Sequence, residues 1–322
     1  MSTTARPGSE TQSASPSWTV GEHTVRRIDE IALPPETGQW LLPGASPDAV
    51  AETPWLHPDF ADSRGVLRLA SHTFAVEAGG LRVLIDTGVG NGKRRANPAW
   101  HELNSDYESR LRAAGFPPAS VDLVVLTHLH TDHVGWNTRI EGDAWVPAFP
   151  RARYLTSRTE WGYWAGVDMA QERRQMFDDS VHPVREAGLL DLVDVEDGGT
   201  EIAPGLRLLP APGHTPGQVA VELSSGGARA LITGDSIHHP VQLARPELCS
   251  CVDIDPSLAA RTRHRMLDAL AGTPTLMLGS HFPHPTAGHV LRAGGSYRLA
   301  PCAPEGPGRP ARDATVRSFP GS

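Results

Sequence analysis

The hexapeptide HLHTDH at residues 128–133 constrains this chain more than any other segment. It directly follows the apolar, β-branched run VDLVVLT at residues 121–127, which predicts a short buried strand. Alternate residues of an extended backbone point the same way, so His128 and His130 can share one metal ion. Asp132 and His133 are adjacent, point elsewhere in a tight turn, and suit a second ion. Three imidazoles and a carboxylate this close together favour a metal site over isolated packing histidines.

Three further candidate ligands follow predicted strands later in the chain. His214 lies in the turn PGHTPG after the strand GLRLLPA, Asp235 follows the strand ARALI, and His281 follows a strand at residues 275–278. Each of these residues alone is common in a turn or at a strand end. Because a sheet fixes the backbone where its strands end, the loops that follow can converge on one site.

The patterns of apolar residues indicate an α/β protein with two sheets rather than a simple alternating parallel sheet. Residues 67–77 alternate in polarity and are followed by two glycines and LRVLID, which predicts a β-hairpin. Ser105 and Glu108 have the spacing of a capping box that opens a helix, with Gly115 just past its end. The other predicted elements are loosely helical residues 157–190, strands near 192–195, 206–211, 219–224 and 229–234, a helix at 256–271 and a strand at 275–278.

The length and the ends of the chain suggest one domain between two tails. The 322 residues allow one large domain or two small ones, and neither a repeat nor a clear linker interrupts residues 20–300. Residues 1–18 are rich in Ser, Thr, Pro and Gly, and residues 301–322 are rich in Pro and Gly. We therefore predict a disordered tail at 1–18, a domain at 19–300 and a loose tail at 301–322.

Composition excludes several classes of protein. The net charge of −8 is unfavourable for binding nucleic-acid phosphates over an extended surface. We find neither an 18-residue apolar run nor an apolar core in the first twenty residues, so we expect no membrane span and no secretory signal. Only three cysteines occur, which argues against a disulfide framework. We expect a cytoplasmic protein that acts on a small-molecule substrate, without nucleic-acid or membrane partners, and leave a homodimer open.

The series HxHxDH, GH, GD and a late histidine, with an early DTG turn at residues 86–88, resembles the metallo-β-lactamase superfamily over roughly residues 65–295. The resemblance implies an αββα sandwich with two metal ions at one edge of the paired sheets. It also implies two Zn²⁺ per chain, with other divalent first-row metals as alternatives. Carried over by position, the ligands are His128, His130 and His214 for the first metal, Asp132, His133 and His281 for the second, and Asp235 as a bridge between them.

A narrower resemblance involves GDSIHHPVQL at residues 234–243 and SHFPHPTAGHV at residues 280–290. These segments are similar to a branch that contains quorum-quenching lactonases and methyl parathion hydrolase. Many acyl-homoserine lactonases of this fold carry a tyrosine three residues after the bridging aspartate, where this chain has His238. The resemblance implies a lactone substrate, and we assign His238 a contact to the oxyanion or the leaving group.

The chemistry expected of such a site is hydrolysis of a small neutral ester. Two metals about 3.5–4 Å apart would hold a bridging water whose lowered pKa yields a hydroxide nucleophile. Asp132 or Asp235 would carry the proton to the leaving oxygen. Two alternatives stay open: a phosphotriesterase or arylesterase of the same fold, and a mononuclear iron dioxygenase, which would not need the second ligand set.

For a few other residues near these motifs, the sequence leaves two roles open. Asp86 either accepts an N–H from a ligating histidine or caps its own turn. Trp136, Trp55, Trp161 and Trp164 either line a substrate pocket or pack in the core.

Overall fold

The computed structural model describes residues 15–305. The strands are β1 (Ser17–Val20), β2 (His23–Ala32), β3 (Ala70–Ala78), β4 (Leu81–Ile85), β5 (Leu123–Val125), β6 (Thr138–Glu141), β7 (Ala144–Pro147), β8 (Arg153–Ser157), β9 (Leu190–Val193), β10 (Thr200–Ala203), β11 (Leu206–Pro210), β12 (Val219–Ser225), β13 (Ala228–Ile232), β14 (Leu276–Leu278), β15 (Ala287–Ala293) and β16 (Ser296–Pro301). The helices are α1 (Pro35–Leu41), α2 (Pro47–Ala51), α3 (Tyr107–Ala113), α4 (Thr131–Val134), α5 (Arg158–Gly166), α6 (Gln171–Ser180), α7 (His182–Glu186), α8 (Val241–Ala244) and α9 (Pro256–Leu270).

Two seven-stranded sheets form the centre of the fold. The first has the order β1-β2-β3-β4-β5-β8-β9, the second runs in order from β10 to β16, and β6 pairs with β7 in a separate hairpin. Each sheet is mixed: β4 pairs with β5 in parallel, and so does β13 with β14. Parallel neighbours end at the same edge of a sheet, so the loops after these four strands leave the sheets at matching edges.

The two sheets pack face to face and helices cover their outer faces. Side chains such as Val83 of β4 and Ile232 of β13 fill the space between the sheets. Helices α3, α5 and α6 pack on the first sheet through residues such as Phe177. Helices α1 and α9 pack on the second sheet through Leu41 and Leu267. This layering is an αββα sandwich, which confirms the predicted fold class.

Most predicted elements near the site are confirmed. The hairpin is β3–β4, the short strand before HLHTDH is β5, and the late helix is α9. The predicted capping box is wrong: α3 begins at Tyr107, and the Ser105 hydroxyl donates to Oδ1 of Asn91 at 3.1 Å. Ser105 makes this tertiary contact instead of capping the helix, and the Asp106 side chain in the cap position makes no capping bond.

The sequence patterns missed both ends of the sandwich. No element was predicted for six segments that the structure shows as regular: strands β1, β2, β15 and β16 and helices α1 and α2. The predicted boundary of the N-terminal tail is also wrong, because Ser17 and Trp18 belong to β1 and the Trp18 indole is buried. At the other end, β16 extends to Pro301, and the Glu305 N–H donates to the Ser17 carbonyl at 2.8 Å. The rest of the predicted tails, residues 1–14 and 306–322, lies outside the described residues.

Within residues 15–305, the helices are too short or too polar to span a bilayer.

Candidate metal centre

Four loops at one edge of the sandwich bring all seven predicted ligands together. His128, Asp235 and His281 each lie three residues beyond the end of a parallel strand: β5, β13 and β14 respectively. His214 follows β11, and the short helix α4 places Asp132 and His133 back over the cluster. The five histidines and Asp235 are buried, and Asp132 is partly exposed.

The side chains form two groups that share Asp235. His128, His130 and His214 offer nitrogens within 4.8 Å of one another, and His214 Nε2 lies 2.9 Å from His130 Nδ1. Asp132, His133 and His281 form the second group, in which the Nε2 atoms of the two histidines are 3.2 Å apart. Both groups consist of residues that the sequence analysis assigned to one ion each, and their role as metal ligands stays a prediction.

The Asp235 carboxylate lies between the two groups. Its Oδ2 is 3.5 Å from His214 Nε2 and 3.8 Å from His128 Nε2. Its Oδ1 is 3.4 Å from His133 Nε2 and 3.2 Å from His281 Nε2. His281 Nε2 is also 3.2 Å from Oδ2. The carboxylate thus contacts residues of both groups, as a bridging ligand must.

The donor set and its spacing fit a pair of first-row metal ions. Nitrogen ligands at about 2.0–2.1 Å from a tetrahedral ion are about 3.3 Å from one another, and the contacts above range from 2.9 to 3.8 Å. His128 Nε2 and Asp235 Oδ1 are buried without a hydrogen-bond partner among the described residues. Buried polar atoms normally have partners, and a cation bound in the cluster would supply one for each of these two.

Hydrogen bonds behind the cluster turn the histidines toward it. His133 Nδ1 donates to Asp86 Oδ2 at 2.8 Å, and His214 Nδ1 donates to Asp253 Oδ1 at 2.8 Å. His281 Nδ1 donates to the Ala70 carbonyl at 3.0 Å. These bonds leave the Nε2 lone pairs free to face the centre, a common feature of metal-binding histidines.

Asp86 therefore makes the histidine contact that was one of its two predicted roles. Asp253 was not identified as a site residue from the sequence, in which 39 residues separate it from His214.

Electrostatics differ between the two groups. Burial holds the pKa of His128 and of His130 well below the usual histidine value. Burial also lowers the pKa of His281, but the carboxylate of Asp235 outweighs it and raises the pKa to about 8. The pKa of His133 is raised for the same reason, with Asp86 and Asp132 adding to Asp235. Negative charge is thus concentrated around the second group, where it can neutralise a cation.

Comparisons with known proteins agree with this geometry. Residues 66–290 match the family model of the metallo-beta-lactamase superfamily. The chain belongs to this superfamily. Among the curated relatives, an N-acyl homoserine lactonase from Bacillus thuringiensis is 23% identical over 173 residues, which are 53% of this chain and 60% of the relative. The lactonase AttM from Rhizobium radiobacter is 29% identical over 140 residues, or 41% of this chain and 48% of the relative. The chain thus matches 60% or less of the length of these relatives.

Two solved structures with the same fold match almost the whole chain. The hydrolase AbOPH of the beta-lactamase superfamily is 25% identical with a TM-score of 0.73, covering 92% of this chain and all of its own. AidC, described as a dizinc quorum-quenching lactonase, is 20% identical with a TM-score of 0.74 and covers 90% of this chain and 98% of its own. At that identity, the likeness to AidC concerns the fold.

A pocket of about 150 Å³ opens onto the cluster of candidate metal ligands. Its polar lining includes Asp132, Asp235, His238 and His281, together with Arg173. Its other wall is mainly apolar, and its members are Leu33, Trp40, Leu41, Trp100 and Val252. Sequence patterns missed this wall, because α1 and the segment around Trp100 carry no motif of the superfamily.

His238 lies where the sequence predicted, on the pocket side of the cluster. It is buried, its ring stacks parallel to His281 with centroids 6.0 Å apart, and Nε2 is 3.3 Å from Asp235 Oδ2. Neither ring nitrogen has a well-aligned hydrogen-bond partner within residues 15–305. An imidazole in this position is free to donate to a group in the pocket.

The tryptophans considered from the sequence do not line this pocket. Trp136 stacks on Tyr107 and donates to Glu30, and Trp164 packs beside the His130 ring with centroids 5.7 Å apart. Trp55 packs edge-on against Phe60, and Trp161 lies under the Arg185 guanidinium. Packing is the role that the structure gives these four side chains.

Proposed function

We propose that this protein is a dinuclear metal-dependent hydrolase of small neutral esters, with lactones as its substrate class. The observation that carries the proposal is Asp235, whose carboxylate contacts two separate groups of three ligands. Seven ligands are too many for one tetrahedral ion, whereas they suit two ions with a shared carboxylate. Lactonases among the relatives of known function support the choice of substrate.

Each ligand has a proposed role. His128, His130 and His214 would hold the first ion, Asp132, His133 and His281 the second, and Asp235 both. Zinc is the proposed metal, since imidazole and carboxylate ligands suit it. Bound ions would supply Lewis acidity and an activated water.

The other residues of the pocket orient the substrate and move protons. Asp132 is partly exposed in the pocket wall, where its carboxylate can pass a proton to the leaving oxygen. The His238 ring can donate to an oxyanion or to the leaving group from the same side. The apolar wall excludes water from the reacting group and favours an uncharged substituent on the substrate.

The pocket size supports a small substrate. A cavity of about 150 Å³ holds a group as large as benzene, and the volume here is about 150 Å³. Trp40 on the rim is 59% exposed, so a substrate substituent could cover its free face. We therefore propose a short aliphatic or single-ring substituent for the preferred ester.

A phosphotriester or an aryl ester is the second candidate. It is favoured by His238, which replaces the tyrosine of many lactonases and whose ring nitrogens have no well-aligned hydrogen-bond partner among the described residues. The dioxygenase alternative is not favoured, because a single iron would leave the second group of ligands without a use.

Elemental analysis combined with a hydrolysis screen tests the proposal. The purified enzyme should hold about two metal ions per chain, and it should hydrolyse lactones faster than aryl esters or phosphotriesters. Asp235→Ala should lose both ions, because the bridge is removed. A single tightly held ion in fully active enzyme would contradict the dinuclear assignment. Two ions with a preference for phosphotriesters would contradict only the substrate.

A further inference from the structure

Two buried glutamates lie behind the cluster, and neither belongs to the predicted ligand set. Glu160 sits in the first turn of α5 and is 0% exposed, and Glu30 lies in β2 and is 3% exposed. Each carboxylate accepts four hydrogen bonds from protein donors. A buried carboxyl group is tolerated only with such partners, so the positions of the donors show what each glutamate holds in place.

Glu160 connects the two loops that carry the first group of ligands. Its Oε1 accepts from the Leu129 N–H at 3.0 Å, and Leu129 lies between His128 and His130. Its Oε2 accepts from the Thr215 hydroxyl at 2.6 Å and the Gly217 N–H at 3.2 Å, both just after His214. The fourth donor is the Trp164 indole at 2.7 Å. One carboxylate thus joins the loops of all three histidines.

The backbone confirms how closely α5 approaches the His214 loop. The Ser157 hydroxyl donates to the Gly217 carbonyl at 2.6 Å and accepts from the Glu160 N–H at 3.0 Å. A Cβ on Gly217 would lie 2.0 Å from the Glu160 nitrogen, a distance that no side chain can adopt. Only glycine permits this contact.

Glu30 makes the equivalent connection behind the second group. Its Oε2 accepts from the Val89 N–H at 2.7 Å, and its Oε1 accepts from the Gly90 N–H at 2.9 Å. Those residues follow Asp86, which holds His133. The pairing of β2 with β3 shifts between Asp29 and Ile31, so Glu30 is the bulged residue and can turn inward.

The two remaining donors to Glu30 come from beside other residues of the second group. The Ser71 hydroxyl donates at 3.0 Å and follows Ala70, whose carbonyl holds His281. The Trp136 indole donates at 2.8 Å and lies three residues after His133. Glu30 therefore joins the segments that orient both histidines of the second group.

We propose that Glu160 and Glu30 are positioning residues, each specific for one ion: Glu160 for the first and Glu30 for the second. The proposal rests on the dinuclear site proposed above. Removing a group that orients a metal ligand typically costs about 10- to 100-fold in metal affinity. Because the glutamates act on different loops, the loss should be confined to one ion in each variant.

The test is a crossed pair of variants, Glu160→Gln and Glu30→Gln, in which each serves as the control for the other. Glutamine has the same size, but its amide group cannot accept two of the four hydrogen bonds. Cadmium NMR of the loaded full chain should resolve the two sites, which His214→Ala and His133→Ala assign. Chelator competition then gives the affinity of each site. We expect about a 10-fold loss at the first site in Glu160→Gln and at the second site in Glu30→Gln.

A milder pair covers the case in which the glutamine variants fail to fold. Thr215→Val removes one donor to Glu160 and should weaken the first site, as Glu160→Gln does. Ser71→Ala removes one donor to Glu30 and should weaken the second site, as Glu30→Gln does. Equal losses at both sites, or reduced stability with unchanged cadmium affinities, would overturn the proposal. A single cadmium site in the wild type would overturn the dinuclear site as well. Two sites without ester hydrolysis would overturn only the proposed function.

Discussion

Asp86→Asn isolates the contribution of a side chain that would support the proposed second ion without touching it. Asp86 Oδ1 accepts from the Thr127 N–H at 2.8 Å. Its Oδ2 accepts from the Thr127 hydroxyl and from His133 Nδ1, both at 2.8 Å. The residue has φ of 56°, a left-handed conformation that asparagine tolerates well. The substitution therefore changes the hydrogen bonds without straining the backbone.

The expected magnitude follows from these three bonds. Asparagine keeps one accepting oxygen and turns an amide group toward the other donors, so at least one of the three bonds is lost. A buried donor left without a partner costs about 1–3 kcal/mol of unfolding free energy. If the His133 bond is lost, the ring is free to rotate and the second ion should bind about 10- to 100-fold more weakly. The first ion should bind as in the wild type.

Chelator competition and denaturant unfolding of the metal-free protein measure these two effects separately. Asp253→Asn is the matched control, because Asp253 accepts from His214 Nδ1 and from the Ser250 N–H, both at 2.8 Å. That variant should weaken the first ion instead. If Asp86→Asn lowers stability but leaves both affinities unchanged, Asp86 merely holds the Thr127 turn and our reasoning about His133 is refuted.

Three further predictions concern the pocket and a buried lysine. His238→Ala should lower kcat about 10²-fold with metal content intact, and unchanged steady-state kinetics on the best substrate would rule out a catalytic contact. Trp40→Ala should raise KM more than it lowers kcat for esters with an apolar substituent, and an unchanged KM would remove Trp40 from the substrate site. Burial lowers the pKa of Lys93 from 10.5 to about 7, despite the opposing charge of Asp179. Above pH 7 the unfolded state then binds more protons than the folded state. The contribution of Lys93 to the free energy of unfolding should therefore rise from about pH 7 to 10.5. Denaturant titrations across that range should show a shallower rise in Lys93→Met than in the wild type, and parallel curves would refute the shifted pKa.

The sequence predicted the fold near the site because local patterns and site chemistry coincide there. An apolar run before HLHTDH specifies a buried strand, and metal chemistry restricts the ligands to histidine and carboxylate side chains. Asp235 and His281 also directly follow predicted strands, which made their convergence predictable. Where no motif was present, as in β1, β2 and α1, the prediction contained no element.

The sequence by itself thus determined the identity of the seven candidate ligands and the sandwich that brings them together. Only the tertiary structure decided what surrounds them. Trp136 donates to Glu30 across 106 residues, and Glu160 reaches Thr215 across 55. A buried glutamate and an exposed one have the same local sequence signature, and so do a pocket tryptophan such as Trp40 and a core one such as Trp136. Which donors meet a carboxylate, and which face of an indole stays open, depends on packing between segments far apart in the chain.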